Sequence, residues 1–179
     1  FLNNFEIFSH YLPKELNKEF SYLEIGSFEG LSALNILSNY PNSKVTVIDL
    51  WSESNLNSES LEVNFIEVEK RFDENLKGYN FIKIKKDSVI ALRELLKKRI
   101  FFDLIYIDGS HNGEDILSDA IESYILLNIG GIIIFDDVVN SNKNISIQSY
   151  KGFEKFCETF NKRLKVLYLR NIAVVKKIK

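Results

Sequence analysis

Short apolar runs alternate with amphipathic stretches along most of this chain, and such alternation is typical of an α/β protein. The apolar runs predict five strands, at residues 22–25, 44–50, 81–84, 102–107 and 131–135. Apolar residues at helical spacing predict helices over residues 31–38, 61–76, 89–98, 114–127 and 150–161. Because the strands and helices alternate, we expect a parallel, doubly wound sheet.

The segments outside this alternation have patterns of their own. Residues 1–19 carry apolar side chains at helical spacing and predict a helical lead-in to the sheet. Residues 52–60 and 138–149 are polar, which predicts two flexible loops. Near the C-terminus, two apolar runs at residues 164–169 and 172–175 are joined tightly, which predicts a β-hairpin. The hairpin would insert one antiparallel strand at the end of a parallel sheet.

The composition is that of an ordinary globular domain. Of the 179 residues, 45% are hydrophobic and 27% are charged, so we interpret residues 1–179 as a single domain. The formal net charge of −2 provides no basic field, which argues against nucleic acid or an anionic membrane as partner. The single cysteine excludes an internal disulfide and a cysteine zinc cluster. No apolar run reaches transmembrane length and the first residues do not resemble a signal peptide, so we expect a cytoplasmic protein.

The sequence SYLEIGSFEG at residues 21–30 predicts a strand, a tight glycine turn and the start of a helix. Gly26 and Gly30 have no Cβ and would let a ligand approach the backbone, while the free N–H groups of the helix favour a negative or polar group. Open α/β sheets bind their ligand at such a turn. Glu24 places a carboxylate inside an apolar strand, where it needs a partner such as a ligand ammonium or a backbone amide.

Acidic residues also follow the second and third predicted strands. Asp49 could accept hydrogen bonds from both hydroxyls of a ribose, and capping of a turn is the alternative. Trp51, the only tryptophan, could flank the ribose or adenine, or could cover the core. Asp87, followed by Ser88, could accept from an adenine amino group, although capping of the next helix explains it nearly as well.

The fourth and fifth predicted strands end in Asp108 and in the pair Asp136 and Asp137. Adjacent parallel strands would bring these carboxylates close together, where like charges repel unless a cation neutralises them. An all-oxygen site of this kind suits Mg²⁺ or another hard divalent ion. The alternative is that one carboxylate stays protonated and another only caps a turn.

His111 lies three residues after Asp108. An imidazole with an ordinary pKa of ~6.5 can take a proton from a hydroxyl at neutral pH, so His111 is the candidate general base. A structural histidine capped by its neighbour Asn112 is the alternative. The other histidine, His10, lies in the lead-in and has no such setting.

Several segments together resemble the class I S-adenosylmethionine-dependent methyltransferases, and among these the methyltransferase domain family 24. The segments are YLEIGSFEG, VTVIDLW, KKDS, FDLIYIDGSHNGEDILSDAIESYILLNIGGIIIFDDVV and the C-terminal hairpin. They cover most of the chain from residue 20 onward, and the block from Phe102 to Val139 is the most specific. The resemblance implies an α/β, Rossmann-like, seven-stranded sheet that is mostly parallel, with an antiparallel strand in the C-terminal hairpin.

The resemblance also implies roles for individual residues. The methionine part of S-adenosylmethionine would be surrounded by Glu24, Gly26, Ser27 and Gly30. Asp49 would bind the ribose, Asp87 would lie near the adenine, and we also expect Asp108 to contact the cofactor. We count Trp51 and Ser88 among the predicted cofactor-binding residues on the grounds given above.

In the metal-dependent sugar O-methyltransferases of this broader group, acids after strands four and five hold Mg²⁺. A histidine three residues after the strand-four acid acts as base. Asp108 and His111 match that spacing and are the predicted catalytic residues, and Asp136 and Asp137 match the second pair of acids. The predicted metal ligands are therefore Asp108, Asp136 and Asp137.

We therefore predict O-methyl transfer from S-adenosylmethionine to a hydroxyl of a small molecule or sugar, with a divalent metal and a histidine base. Three alternatives stay open at this point: an NAD-dependent oxidoreductase, a non-catalytic S-adenosylmethionine-binding domain, and methyl transfer without a metal. The loops at residues 52–60 and 138–149 would close over cofactor and acceptor. The apolar lead-in could pair across a two-fold axis, so a homodimer is a further expectation.

Overall fold

A computed structural model of the chain describes residues 8–14, 18–52, 63–138 and 143–179. Its strands are β1 Ser21–Ile25, β2 Lys44–Asp49, β3 Ile82–Lys85, β4 Phe102–Ile107, β5 Leu127–Phe135, β6 Leu164–Leu169 and β7 Ala173–Lys177. Its longer helices are α1 Leu31–Asn39, α2 Phe65–Asn75, α3 Ser88–Lys97, α4 Gly113–Leu126 and α5 Lys143–Thr159. None of the helices in these described ranges is long and apolar enough to cross a membrane.

The seven strands form a single sheet in the order β3-β2-β1-β4-β5-β7-β6. The first five strands are parallel, whereas β7 runs antiparallel to both of its neighbours, β5 and β6. The predicted doubly wound sheet with an antiparallel hairpin strand is therefore confirmed. The ends of β1, β4 and β5 lie side by side at one edge of the sheet. There the N–H of Asp108 donates to the carbonyl of Ile25, and the N–H of Asp136 donates to the carbonyl of Ile107.

Each face of the sheet carries its own hydrophobic core, as expected when successive residues of a strand point to opposite faces. On one face, Leu23 and Ile105 are buried with apolar residues of α3, α4 and α5. On the other face, Tyr22 and Tyr106 are buried with residues of α1, α2 and the lead-in. The two tyrosines thus belong to the core, although each carries a hydroxyl that needs a partner.

Side chains at the strand-to-helix turns explain where three helices begin. Asn64 accepts from the backbone N–H groups of Ile66 and Glu67 at the start of α2. Asp87 accepts from the N–H of Ile90 in α3, and Asn112 caps α4 in the same way. Each cap satisfies N–H groups that have no partner within the helix and is worth about 1 kcal/mol.

The structure corrects the predicted loop at residues 138–149. Helix α5 begins at Lys143 rather than near residue 150, and residues 139–142 lie outside the described part. Packing against α4 explains the difference: Ser149 is fully buried, and a Cβ added to Gly152 would lie 2.4 Å from the carbonyl oxygen of Gly113. Such close helix packing outweighs the weak helix propensity of an Asn- and Ser-rich sequence.

Two further segments differ from expectation or are only partly described. Strand β5 begins at Leu127, directly after α4, because Leu127 pairs with Phe102 of β4, and so the strand starts four residues earlier than predicted. Of the predicted lead-in helix, the described residues show one helical turn at residues 8–10, while residues 1–7 and 15–17 lie outside the description. The predicted loop at residues 52–60 lies outside it from residue 53 onward.

Candidate functional site

The glycine turn after β1 lies directly against the backbone after β4. Gly26 has a φ of 80°, a conformation that residues with a side chain rarely adopt. A Cβ added to Gly26 would lie 2.2 Å from the carbonyl oxygen of Asp108 and 2.6 Å from the Cα of Gly109. The structure thus brings the predicted cofactor turn and the predicted acidic site together at one edge of the sheet.

Gly30 fulfils a packing requirement. It also has a positive φ, of 82°, and an added Cβ would lie 2.5 Å from Leu76 Cδ1 and 2.9 Å from Phe72 Cδ2. The absent side chain therefore makes room for these two residues at and near the C-terminal end of α2. The predicted contact of Gly30 with the cofactor stays a prediction.

Glu24 is fully buried, and its partners come from the protein itself. The hydroxyl of Tyr22 donates to Glu24 Oε2 at 2.6 Å, and the hydroxyl of Ser27 donates to Glu24 Oε1. Burial raises the pKa of Glu24, and the nearby charge of Asp49 adds to this effect, while the hydrogen bonds from Ser27 and Tyr22 oppose it. The buried carboxylate expected from the sequence is therefore present, and the predicted Ser27 is its neighbour.

Asp49 connects the end of β2 to the glycine turn. Its Oδ2 accepts from the backbone N–H groups of Ser27, at 2.8 Å, and of Phe28, at 2.9 Å. Its Oδ1 accepts from the N–H of Trp51 at 2.8 Å. Each carboxylate oxygen has about two lone pairs, so Asp49 retains acceptor capacity beyond these three bonds.

Trp51 lies in the core, which favours the second of its two interpretations. It is 4% exposed, and its indole N–H donates to the carbonyl of Phe28 at 2.9 Å. Its ring packs on Phe72 with a centroid distance of 4.7 Å, and the ammonium of Lys83 lies 4.6 Å from the ring centre. These contacts account for the tryptophan without a ligand.

Asp87 caps α3, as one of its two interpretations predicted. Next to it, near Ser88, lies Asp119, a buried acid that was not predicted from the sequence. Asp119 belongs to α4 and is 3% exposed, and its Oδ1 has no hydrogen-bond partner among the described residues. Burial raises the pKa of Asp119 to about 7, and the charges of Asp115 and Asp87 contribute. The sequence does indicate that Asp119 is buried, because it lies three residues after Ile116 on the apolar face of a predicted helix.

A second missed residue, Tyr106, lies between the predicted acids. Its hydroxyl donates to Asp136 Oδ2 at 2.5 Å and lies 3.5 Å from Asp108 Oδ2. Burial and the charges of Asp108 and Asp136 raise the pKa of this phenol. The sequence does indicate a contact between Tyr106 and the acids, because Tyr106 lies two residues before Asp108 and therefore on the same face of the strand.

The three predicted metal ligands influence one another electrostatically. Burial raises the pKa of Asp108, and the charges of Asp136, Glu24 and Asp137 raise it further. Burial and the charge of Asp136 likewise raise the pKa of Asp137. An excess of negative charge is what a divalent cation would relieve. Within the described ranges, however, no three or more His, Cys, Asp or Glu side chains are arranged closely enough to hold an ion.

His111 lies at the same edge and is exposed. Its charge lowers the pKa of Asp137, against the effects of burial and of Asp136, so the imidazole and this carboxylate interact. Its backbone carbonyl accepts from the hydroxyl of Ser149 at 3.3 Å, which links the segment to α5. The role of His111 as base stays a prediction.

Comparisons with known proteins give a consistent family and fold. A family model described as a methyltransferase domain matches residues 23–138. An uncharacterized protein of Acanthamoeba polyphaga mimivirus is 27% identical over 123 residues, covering 66% of this chain and 52% of its own length.

Solved structures share the fold at low sequence identity. The methyltransferase MycE from the mycinamycin biosynthetic pathway, in complex with Mg and SAH, matches with a TM-score of 0.67 and 16% identity. The match covers 97% of this chain and 49% of MycE. An O-methyltransferase from Bacillus cereus, in complex with SAH, matches with a TM-score of 0.65 and 19% identity, covering 88% of this chain and 74% of that one. The chain thus spans about half the length of MycE and of the viral relative.

Proposed function

The chain belongs to the methyltransferase domain family that matches residues 23–138, and from this premise we propose that it transfers a methyl group from S-adenosylmethionine to a hydroxyl oxygen of a small molecule or sugar. The observation that carries the proposal is the contact of the glycine turn with Asp49 and with the backbone of Asp108 at one edge of the sheet. The O-methyltransferase among the similar structures supports the choice of oxygen as acceptor.

The cofactor would bind along the ends of β1 and β2. Glu24, Gly26, Ser27 and Gly30 form or support the turn that we propose to hold the methionine part. Backbone N–H groups use three of the about four acceptor sites of Asp49, which leaves one site, on Oδ1, for a ribose hydroxyl. Asp87 and Ser88 would lie on the adenine side, at the start of α3. Asp49 fixes the turn through its backbone hydrogen bonds, so the cradle would be largely formed before the cofactor arrives.

The methyl carbon of a sulfonium is already activated, so the protein has to align an acceptor oxygen with it and remove the hydroxyl proton. We assign the second task to His111. When the imidazole takes up the proton it becomes positive, and Asp137 would place a negative charge at the same edge of the sheet.

We also propose Asp108, Asp136 and Asp137 as ligands of a divalent cation such as Mg²⁺, although as they lie here the described acids form no group of three that holds an ion. The mutual influence of these acids supports this part of the proposal, because oxygen ligands with excess negative charge suit a hard cation. Such an ion, when bound, supplies a positive charge that lowers the pKa of an acceptor hydroxyl. A small-molecule or sugar acceptor, a homodimer and a cytoplasmic location remain parts of the proposal.

Calorimetric titration with S-adenosylhomocysteine (SAH) tests the cofactor assignment first, with NAD⁺ as the comparison ligand. We expect SAH to bind with Mg²⁺ and with chelator, and NAD⁺ not to bind. A protein that binds NAD⁺ and not SAH would overturn the proposal in favour of an oxidoreductase. A separate Mg²⁺ heat that disappears in Asp136→Asn would support the metal site, whereas SAH binding without a Mg²⁺ heat would remove the metal from the proposal.

Turnover is measured as SAH release with a panel of sugars and other hydroxylated acceptors. We expect His111→Gln to lower turnover by about 10²–10⁴-fold while SAH affinity stays within about twofold of the unmodified protein. Equal losses of turnover and SAH affinity would instead identify His111 as structural. If no acceptor on the panel is methylated while SAH binds, the non-catalytic binding domain becomes the better interpretation.

A further inference from the structure

We propose that the open end of the C-terminal hairpin is a docking surface for an anionic lipid membrane. This inference goes beyond methyl transfer and does not depend on it. The surface lies at the end of the hairpin away from its turn, and β6 is an outermost strand of the sheet. Its five basic residues, which we call the basic end, are all exposed: Lys162, Arg163, Lys165, Lys176 and Lys179.

The charges of the chain are distributed unevenly. Residues 162–179 carry seven Lys and Arg and no Asp or Glu. The 161 residues before them carry 16 Lys and Arg against 25 Asp and Glu, a formal charge of −9. The net charge of −2, from which no basic field was expected, is therefore the sum of two parts of opposite sign. A local positive field attracts anionic surfaces even when the whole molecule is slightly acidic.

The register of the hairpin brings the basic side chains together. Lys165 of β6 lies directly opposite Lys176 of β7, and both are exposed. Beyond this pair, the carbonyl of Arg163 accepts from the N–H groups of Ile178, at 2.8 Å, and of Lys179, at 3.3 Å. Four positive residues thus occupy adjacent positions at one corner of the sheet.

The fold itself does not explain the charges of the basic end. Like charges directly opposite each other on neighbouring strands are destabilising. None of the ion pairs among the described residues involves a residue of the basic end. Lys177, which is half-buried, is different, because its ammonium donates to the carbonyls of Tyr124 and Leu127. A surface with several negative charges would relieve the repulsion at the basic end.

The composition of this surface favours a lipid membrane over a nucleic acid. Lysines outnumber arginines five to two in residues 162–179, and the only aromatic residue there, Tyr168, is half-buried. Proteins that bind nucleic acid typically offer arginine and exposed aromatic rings on which bases stack. Here the exposed apolar neighbours are aliphatic, since Val166 is 42% exposed and Ile178 is 46% exposed. Aliphatic side chains beside lysines suit the boundary between lipid head groups and acyl chains.

Docking through the basic end would leave the candidate functional site open. Lys176 pairs with Ile132, three residues before β5 ends. The hairpin turn lies at the other end of the hairpin, beside the acids that follow β5, because the N–H of Val138 donates to the carbonyl of Asn171 at 2.8 Å. The membrane surface and the cofactor turn would therefore lie toward opposite edges of the sheet.

The experiment is flotation of the protein with vesicles of phosphatidylcholine, either pure or mixed with anionic phosphatidylglycerol, at low and at high salt. We expect binding to the mixed vesicles only, and its loss at high salt, because salt screens exposed charges. Each lysine near an anionic surface strengthens binding about fivefold, so the double variant Lys165→Gln/Lys176→Gln should bind about 25-fold more weakly. Its thermal unfolding midpoint should not fall, because the change removes a pair of like charges.

The matched control is Lys70→Gln/Lys77→Gln. It removes the same charge from two exposed lysines in and just after α2, a helix that is joined by the ion pair of Asp73 with Lys83 to β3, at the other end of the sheet. The control should keep the vesicle affinity within about twofold of the unmodified protein, since its lysines lie beyond a Debye length of about 10 Å from the docked surface. A further variant, Ile178→Ser, should weaken vesicle binding by about three- to tenfold, because it removes an aliphatic contact with the membrane.

Several outcomes would overturn the inference. Absence of binding, or equal binding to pure and mixed vesicles, would show that the surface does not recognise anionic lipid. Equal weakening in both double variants would show that only the net charge matters. A DNA oligonucleotide that binds through Lys165 and Lys176 more tightly than the vesicles do would identify a nucleic-acid surface instead. Salt-sensitive self-association that Lys165→Gln/Lys176→Gln abolishes would identify a second copy of the chain as the partner. The SAH titration reports on the proposed function separately.

Discussion

Replacing Gly26 by alanine tests whether the glycine turn is built on its contact with the backbone after β4. Two costs can be worked out from the structure. A φ of 80° costs a residue with a Cβ about 1–2 kcal/mol. The new methyl group would also lie 2.2 Å from the carbonyl oxygen of Asp108, and relieving overlap in a packed interior costs about 1–3 kcal/mol. We therefore expect Gly26→Ala to lower the free energy of unfolding by about 2–5 kcal/mol.

Gly78 provides the matched control for this substitution. Its φ is 91°, but no atom lies within 4 Å of the position that its Cβ would occupy. Gly78→Ala should therefore cost only the conformational part, about 1–2 kcal/mol. The change that alanine makes to the unfolded chain is similar at both positions and cancels in the comparison.

Urea unfolding followed by circular dichroism measures both variants. With a slope of about 2 kcal/mol per molar urea, a loss of about 3 kcal/mol moves the midpoint by about 1.5 M. Gly26→Ala should in addition weaken SAH binding, whereas Gly78→Ala should not. If Gly26→Ala is no less stable than Gly78→Ala, the close contact between the turn and Asp108 does not constrain the protein, and the reasoning is refuted.

Two further predictions concern acids with opposite pH dependence, and both use unfolding measured across pH. Burial raises the pKa of folded Asp119 to about 7, whereas Asp in the unfolded chain has a pKa of about 3.9. Folding therefore takes up a proton between these two pH values. From pH 4 to pH 8 the unmodified protein should lose roughly 2–4 kcal/mol of unfolding free energy relative to Asp119→Asn. Parallel curves for the two proteins would contradict this. Burial raises the pKa of Asp103, but hydrogen bonds from Ser21 and Asn128 outweigh burial and lower it. Because Asp103 is exposed and solvent screens its charge, Asp103→Asn should cost only about 0.5–1 kcal/mol at pH 7, and less as pH falls through the folded pKa. A cost that persists unchanged at low pH would show that the carboxylate charge is not responsible.

Six of the seven strands lie within two residues of the apolar runs that predicted them, whereas β5 begins four residues earlier than predicted. The start of α5 could not be predicted in this way, since its first turns are Asn- and Ser-rich and the helix is stabilised by packing on α4. The position of each acid at a strand end was also predictable, because parallel strands end at one edge of the sheet.

The partners of these acids were not predictable from the same pattern. Tyr22 and Tyr106 look like ordinary core residues in an apolar strand. The hydroxyl of Tyr22 reaches Glu24 of the same strand, whereas that of Tyr106 reaches Asp136 at the end of the neighbouring β5. The packing of Trp51 on Phe72 could not be predicted either, and a contact of Trp51 with the cofactor stays a prediction. Pairing across strands is a tertiary property that a single sequence does not display.

The ring of Phe8 packs against both of the tyrosines whose hydroxyls reach acids at the ends of the strands. Tyr22 reaches the buried Glu24 and Tyr106 reaches Asp136, so one aromatic ring outside the sheet supports the surroundings of two acids on neighbouring strands. A displacement of Phe8 would loosen both rings together. The described part of the lead-in is therefore a place from which a single change in packing would reach two acids that are far apart in the sequence.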